Sequence, residues 1–137
     1  GRLRPMSFWL GILDPAEKLL KFSGAGHNFP VAVIGGKPPQ AVGVAGYPLG
    51  SRKNTVFKNG LQNFSFGGRL VLYTDGIIEA TDFKKEQFGY ERFTRKICNT
   101  LTLPPQDAII EILNTVKAWS ARDTPEDDQT LIILDVK

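Results

Sequence analysis

The stretch "RLVLYTDGIIEAT", from Arg69 to Thr81, constrains the fold of this 137-residue chain more than any other. Leu70, Val71, Leu72 and Tyr73 are apolar without a break, so both faces of the segment need burial and it reads as an inner strand. A lone carboxylate, Asp75, then meets Gly76. Asp-Gly is a common turn pair. The other reading is a metal ligand held at a strand end. A second apolar run, "QTLIILDVK", also reads as an inner strand, and "RDTPEDDQT" leads into it.

The remaining chain supplies strands first and helices afterwards. "SFWLGILDP" predicts a strand turning at Asp14-Pro15, and "KLLKFSGAG" follows closely enough to pair with it as a hairpin. "FPVAVIGGKPPQAVGVAG" predicts short strands punctuated by Gly and Pro, and Asn59-Gly60 carries a two-residue hairpin signal. Two helices are expected next. "GYERFTRKICNTL" puts Tyr90, Phe93, Ile97 and Leu101 on one face; "PPQDAIIEILNTVKAWS" does the same with Ile109, Ile112, Leu113 and Val116. Strands, two helices and a returning strand form an α+β pattern rather than alternating βαβ units.

Composition narrows the function classes. With 42% hydrophobic and 23% charged residues the chain reads as one globular domain, not a disordered one. No apolar stretch approaches the roughly 18 residues of a membrane helix, so no membrane insertion is expected. The start shows no secretory h-region, and a single cysteine, Cys98, forms no disulfide within the chain. Both suit the cytoplasm. One cysteine and one histidine make a poor zinc set. The net charge of +3 is dispersed, without the dense basic clusters of a nucleic-acid partner.

Asp75 therefore has to be read with Asp127 and Asp128. If the two inner strands are antiparallel neighbours, the end of one lies beside the start of the other, and the three carboxylates share one sheet edge. Packed like charges repel unless a cation compensates them. Oxygen donors without a Cys/His cluster point to Mg²⁺ or Mn²⁺. The plain alternative keeps Asp75 as a turn residue and "EDD" as a solvated loop or cap. His27, in "SGAGHNFP", reads either as a general acid or base or as part of a tight turn. In the turn reading Gly24, Gly26 and Asn28 shape the backbone and the imidazole bonds to it, which the lack of a second histidine favours. Cys98 reads as helix packing.

Four segments in fixed order, "AGHNFPVAV" (25–33), "LVLYTDGIIEATD" (70–82), "FGYERF" (88–93) and "DDQTLIILDV" (127–136), resemble the bacterial PPM-type, or type 2C-like, metal-dependent serine/threonine phosphatases. The branch they look like controls sigma factors in stress response and sporulation, and the match spans nearly all of residues 6–137. The resemblance implies a sandwich of two antiparallel sheets flanked by helices, with two Mg²⁺ or Mn²⁺ ions at one edge. It implies hydrolysis of phosphoserine or phosphothreonine by a metal-activated water, without a phospho-enzyme. Asp75 and Asp127 map onto metal ligands and Asp128 onto a supporting position. Gly76 lets the backbone pass close to the site. His27 and Asn28 belong to a structural signature rather than a ligand set. The implied partner is a phosphorylated regulatory protein, an anti-sigma-factor antagonist.

Two small departures are Gly67-Gly68, where the family carries an acid in the turn, and "HNFP" in place of "HNPP". A larger one is that no "GGDxxD"-type segment is present, the segment that supplies the family's bridging aspartate. Residues 1–137 are accordingly expected to be the C-terminal portion of one phosphatase domain, lacking its N-terminal strands and helices. Exposed faces and edges would then favour a homodimer or strand exchange. The competing expectation is a degenerate, non-catalytic phosphatase fold that binds a regulatory partner.

Overall fold

A computed structural model describes residues 4–137. Alternating side chains make the first layer. β1 (Phe8–Asp14) and β2 (Leu19–Ala25) form the expected antiparallel hairpin, with Asp14 opposite Leu19. Asp14 Oδ1 closes the turn by accepting from the backbone N–H of Ala16 and Glu17 at 2.9 and 3.0 Å. β5 (Asn59–Asn63) pairs with the other side of β2, giving the order β1-β2-β5.

The second layer is a four-stranded antiparallel sheet, β4-β3-β6-β7, from β3 (Val31–Ile34), β4 (Gln40–Ala41), β6 (Gly68–Tyr73) and β7 (Leu131–Val136). One face of this sheet meets the first. Ala32, Ile34 and Leu70 pack there with Leu20, Phe22, Val42 and Phe64. Its other face, Val31, Val33, Val71 and Tyr73, carries the helices α2 (Gly89–Asn99) and α3 (Pro105–Ser120) through Phe93, Ile97, Ile112 and Val116. The architecture is α+β: two antiparallel sheets face to face, with helices on one outer side. Between β6 and α2 a single turn, α1 (Asp75–Ile78), buries Gly76 and Ile77.

Three expectations need correction. Asn59-Gly60 is not a hairpin turn but the start of β5, with Gly60 opposite Phe22. A Cβ on Gly60 would lie 2.3 Å from the Phe22 ring, so glycine serves close approach there. β7 is not an inner strand but an edge. Leu131 and Ile133 pack toward the helices, while Ile132 (53% exposed) and Leu134 (40%) stay open. Their cross-strand partners Leu72 and Leu70 face the first sheet, whose core on β7 takes in Val136 and leaves Ile132 and Leu134 uncovered. Leu101 lies beyond α2 and, like Tyr90, remains exposed rather than completing the helix's buried face.

Candidate metal centre

β6 ends at Tyr73, and Asp75 is the first residue of α1 rather than the last of the strand. Between them Thr74 is extended (φ −106°, ψ 160°) and turns the chain out of the sheet. β7 runs antiparallel to β6 with Leu131 opposite Tyr73, so residues 127–130 arrive beside Thr74–Gly76. A clasp fixes the approach. The Thr74 N–H donates to Thr130 O at 3.1 Å, and the Thr130 N–H donates to Thr74 Oγ1 at 2.9 Å. Thr74 Oγ1 donates to Asp128 O at 3.3 Å, and Gln129 Nε2 to Gly76 O at 2.9 Å.

Gly76 is the steric condition for this clasp. A Cβ there would stand 2.3 Å from Asp128 O and 3.1 Å from Asp127 O, inside contact distance of backbone that cannot swing aside. Asp75 and Asp127 are both exposed, and they sit on adjoining backbone at one edge of the second sheet. Asp127 Oδ1 accepts from the Asp128 N–H at 2.8 Å, which leaves its second oxygen available. Asp128 joins the clasp through its backbone.

Asn28 enters from the β2–β3 connection: its side-chain Nδ2 donates to Asp75 Oδ1. Sequence reasoning gave Asn28 a structural role only, and missed Thr74 and Gln129. The imidazole of His27 bonds not to backbone but to a side chain, with Nδ1 3.1 Å from Ser7 Oγ. Gly24 lies within β2 rather than in a turn. Cys98 packs at the margin of the helix-side core. Beneath the site, Tyr73 stacks at a tilt on Phe93, centroids 4.6 Å apart. Burial pushes its hydroxyl up to about 12, with Tyr90 and Asp75 adding to the rise, so it stays a neutral hydroxyl at neutral pH.

The donors at this edge are all oxygen, the chemistry of a hard cation. Among the described residues no group of three or more His, Cys, Asp and Glu side chains converges. Two carboxylates fit part of a Mg²⁺ or Mn²⁺ site.

Residues 2–137 match the family described as stage II sporulation protein E (SpoIIE). The chain belongs to the SpoIIE family. It falls with the PPM-type domains of the sigma-factor-regulating branch. Solved structures share the fold. The phosphatase domain of the cell fate determinant SpoIIE from Bacillus subtilis superposes with TM-score 0.72 at 18% identity, over 95% of this chain and 58% of that one. The SiaA-PP2C domain of Pseudomonas aeruginosa gives 0.79 at 20%, over 93% and 50%. The RsbU and RsbW domains of Rv1364c from Mycobacterium tuberculosis give 0.72 at 22%, over 93% and 35%. This SpoIIE-family chain thus spans 58% and 50% of the first two relatives. Related structures include a manganese-presoaked SpoIIE domain and RsbX in complex with magnesium. No curated protein matches the sequence significantly.

Proposed function

We propose that residues 1–137 are the C-terminal portion of a cytoplasmic Mg²⁺- or Mn²⁺-dependent phosphoprotein phosphatase domain. Its substrate is phosphoserine or phosphothreonine on a regulatory protein, an anti-sigma-factor antagonist. The observation that carries this reading is the Gly76 contact. It brings the Asp127–Asp128 backbone against the turn that begins at Asp75, so two exposed aspartates, one opening α1 and one in the segment leading into β7, lie on adjoining backbone at one edge.

Asp75 and Asp127 would hold the cation, the first through the oxygen not engaged by Asn28, the second through the oxygen not engaged by Asp128 N–H. When bound, such an ion activates water and neutralises charge on the phosphoryl group. Thr74 and Gln129 keep the two segments in register. Tyr73 donates bulk and a neutral hydroxyl, not a base. The covered share of the SpoIIE and SiaA domains supports a partner half that supplies the remaining ligands.

The test is Mn²⁺-dependent hydrolysis of a phosphoserine protein by the isolated chain and by the full-length protein containing it. The full-length protein is expected to be active and the isolated chain to show little or no activity, since one or two protein oxygens hold Mg²⁺ weakly. Comparable activity in the isolated chain sinks the half-site reading. A full-length protein inactive with either metal favours the second reading, a non-catalytic module binding a regulatory partner. That no three metal-ligating side chains converge among the described residues gives that reading its support.

The outer face of the β1-β2-β5 sheet presents Leu10, Ile12 and Leu61, the last two 64% exposed. An open apolar sheet face invites self-association. Light scattering on the isolated chain is expected to give a mass above the monomer that rises with concentration. Ile12→Lys combined with Leu61→Lys should return it to the monomer. A wild-type monomer at high concentration removes the prediction.

A further inference from the structure

Asp75 is an exposed aspartate on a helix of one turn, and among the described residues its carboxylate takes its one hydrogen bond from Asn28. Asn28 comes from a better-anchored segment. It is half-buried, between the buried Ala25 at the end of β2 and the buried Pro30 before β3. Pro30 O accepts from the Val42 N–H at 2.7 Å, and the neighbouring His27 is tied to Ser7. The Asn28–Asp75 hydrogen bond therefore ties the carboxylate of an exposed residue to a half-buried one held between two buried neighbours, across 47 residues of sequence.

We propose that Asn28 is a positioning residue for Asp75: its amide occupies one carboxylate oxygen and presents the other to the cation. This rests on the reading of Asp75 as a metal ligand. The chemistry favours an amide in this place. An ionised carboxylate only accepts, so the Asn28 Nδ2 is the group that must face it. An amide donor orients the carboxylate without cancelling its charge, whereas Lys or Arg at this position would compete with the metal. The cost of freezing the Asp75 side chain is then met on folding instead of on metal binding. Outer partners of this kind set metal affinity as the ligands themselves do.

The experiment measures Mn²⁺ affinity by electron paramagnetic resonance of free Mn²⁺. It uses the full-length protein and its Asn28→Ala, Asn28→Leu, Asn28→Ser and Asp75→Asn variants, with metal-free Tm recorded for each. Asn28→Ala and Asn28→Leu are expected to bind Mn²⁺ about 10–100-fold more weakly, with Asn28→Ser, which retains a donor, between them and wild type. Hydrolysis by Asn28→Ala should recover at high Mn²⁺, because the defect lies in holding the ion. Asp75→Asn should bind more weakly still. Asn28→Leu is close to asparagine in size and lacks the donor without adding a charge, so affinity at or above wild type overturns the proposal. Wild-type affinity in Asn28→Ala overturns it too while leaving Asp75 as a ligand, provided Asp75→Asn is impaired. Unchanged affinity in Asp75→Asn removes the ligand reading itself, and the proposal with it. If the Asn28 variants lose metal-free Tm heavily, the Asn28 side-chain amide resonance in wild type decides: it should move on Mg²⁺ titration, and a fixed resonance overturns the proposal.

Discussion

Asp75→Asn in the full-length protein is expected to lower Mn²⁺-dependent phosphoserine hydrolysis by about 10²–10³-fold, or ~3–4 kcal/mol of transition-state stabilisation. The substitution keeps the shape of the side chain and an oxygen able to accept from Asn28 Nδ2, so the clasp between residues 74–76 and 127–130 should survive. What it removes is the negative charge that a hard cation requires. Asp127→Asn should behave alike, because its amide oxygen can still accept the Asp128 N–H. Asp128→Asn should do far less, since Asp128 takes part through backbone atoms. Steady-state rates at several Mn²⁺ concentrations, with circular dichroism to confirm folding, provide the check. An Asp75→Asn enzyme with full activity at every concentration ends the assignment.

The second large effect is on stability. Arg69 is 3% exposed, and its guanidinium makes four hydrogen bonds. Nε and Nη2 grip Asp135 Oδ1 and Oδ2 at 2.7 and 2.8 Å, a two-pronged bond across β6 and β7. Nη1 donates to Thr100 O at 2.8 Å and Nη2 to Leu103 O at 2.7 Å, tying the link between α2 and α3 to the same point. Removing the guanidinium strands a part-buried carboxylate, takes the side-chain donor from Leu103 O and leaves Thr100 O only the Leu103 N–H at 3.0 Å. Arg69→Ala should therefore cost about 3–5 kcal/mol, a large share of the ~5–15 kcal/mol that holds a domain folded. Arg69→Lys keeps the charge but not the fork and should fall between. Replacing both partners, Arg69→Met with Asp135→Leu, should cost less than Arg69→Ala alone, because no charge is left unpaired. Urea unfolding midpoints measure all four proteins. A loss under about 1 kcal/mol for Arg69→Ala would place the pair among ordinary surface ion pairs.

The sequence made much of this fold readable where one local pattern answers to one local environment. The Asp14-Pro15 turn and the short spacing to the next apolar run predicted the hairpin of β1 with β2, and period 3.6 found α2 and α3 through Phe93, Ile97, Ile112 and Val116. The apolar run at 131–136 was read as demanding cover on both faces. That demand is real, but a run of apolar residues says nothing about whether a neighbour is present to meet it, and β7 ended as an edge. Asn59-Gly60 misled for a related reason. The local turn preference of the pair yields to the Phe22 ring, which needs a residue without a side chain opposite it. α1 is too short to have a period at all. At the candidate metal centre, adjacency of the Asp75 and Asp127 segments could be argued from strand order. The Asn28 bond could not: it joins residues 47 apart on different elements, and no local pattern announces such a pair.

The clasp at Thr74 and Thr130 also has a dynamic side. These residues are 56 apart, and both helices of the outer layer lie in the chain between them. The two acids of the centre therefore become neighbours only when β7 zips onto β6, after the loop holding α2 and α3 has closed. That ordering penalty falls on the site and not on the β1–β2 hairpin. Any fluctuation that peels β7, an edge strand held on one side only, separates Asp127 from Asp75 while leaving the hairpin intact. Amide protons of Thr74 and Thr130 thus serve as gauges of that opening. A divalent ion held by both acids would slow their exchange with solvent, making occupancy of the centre legible as protection of a strand.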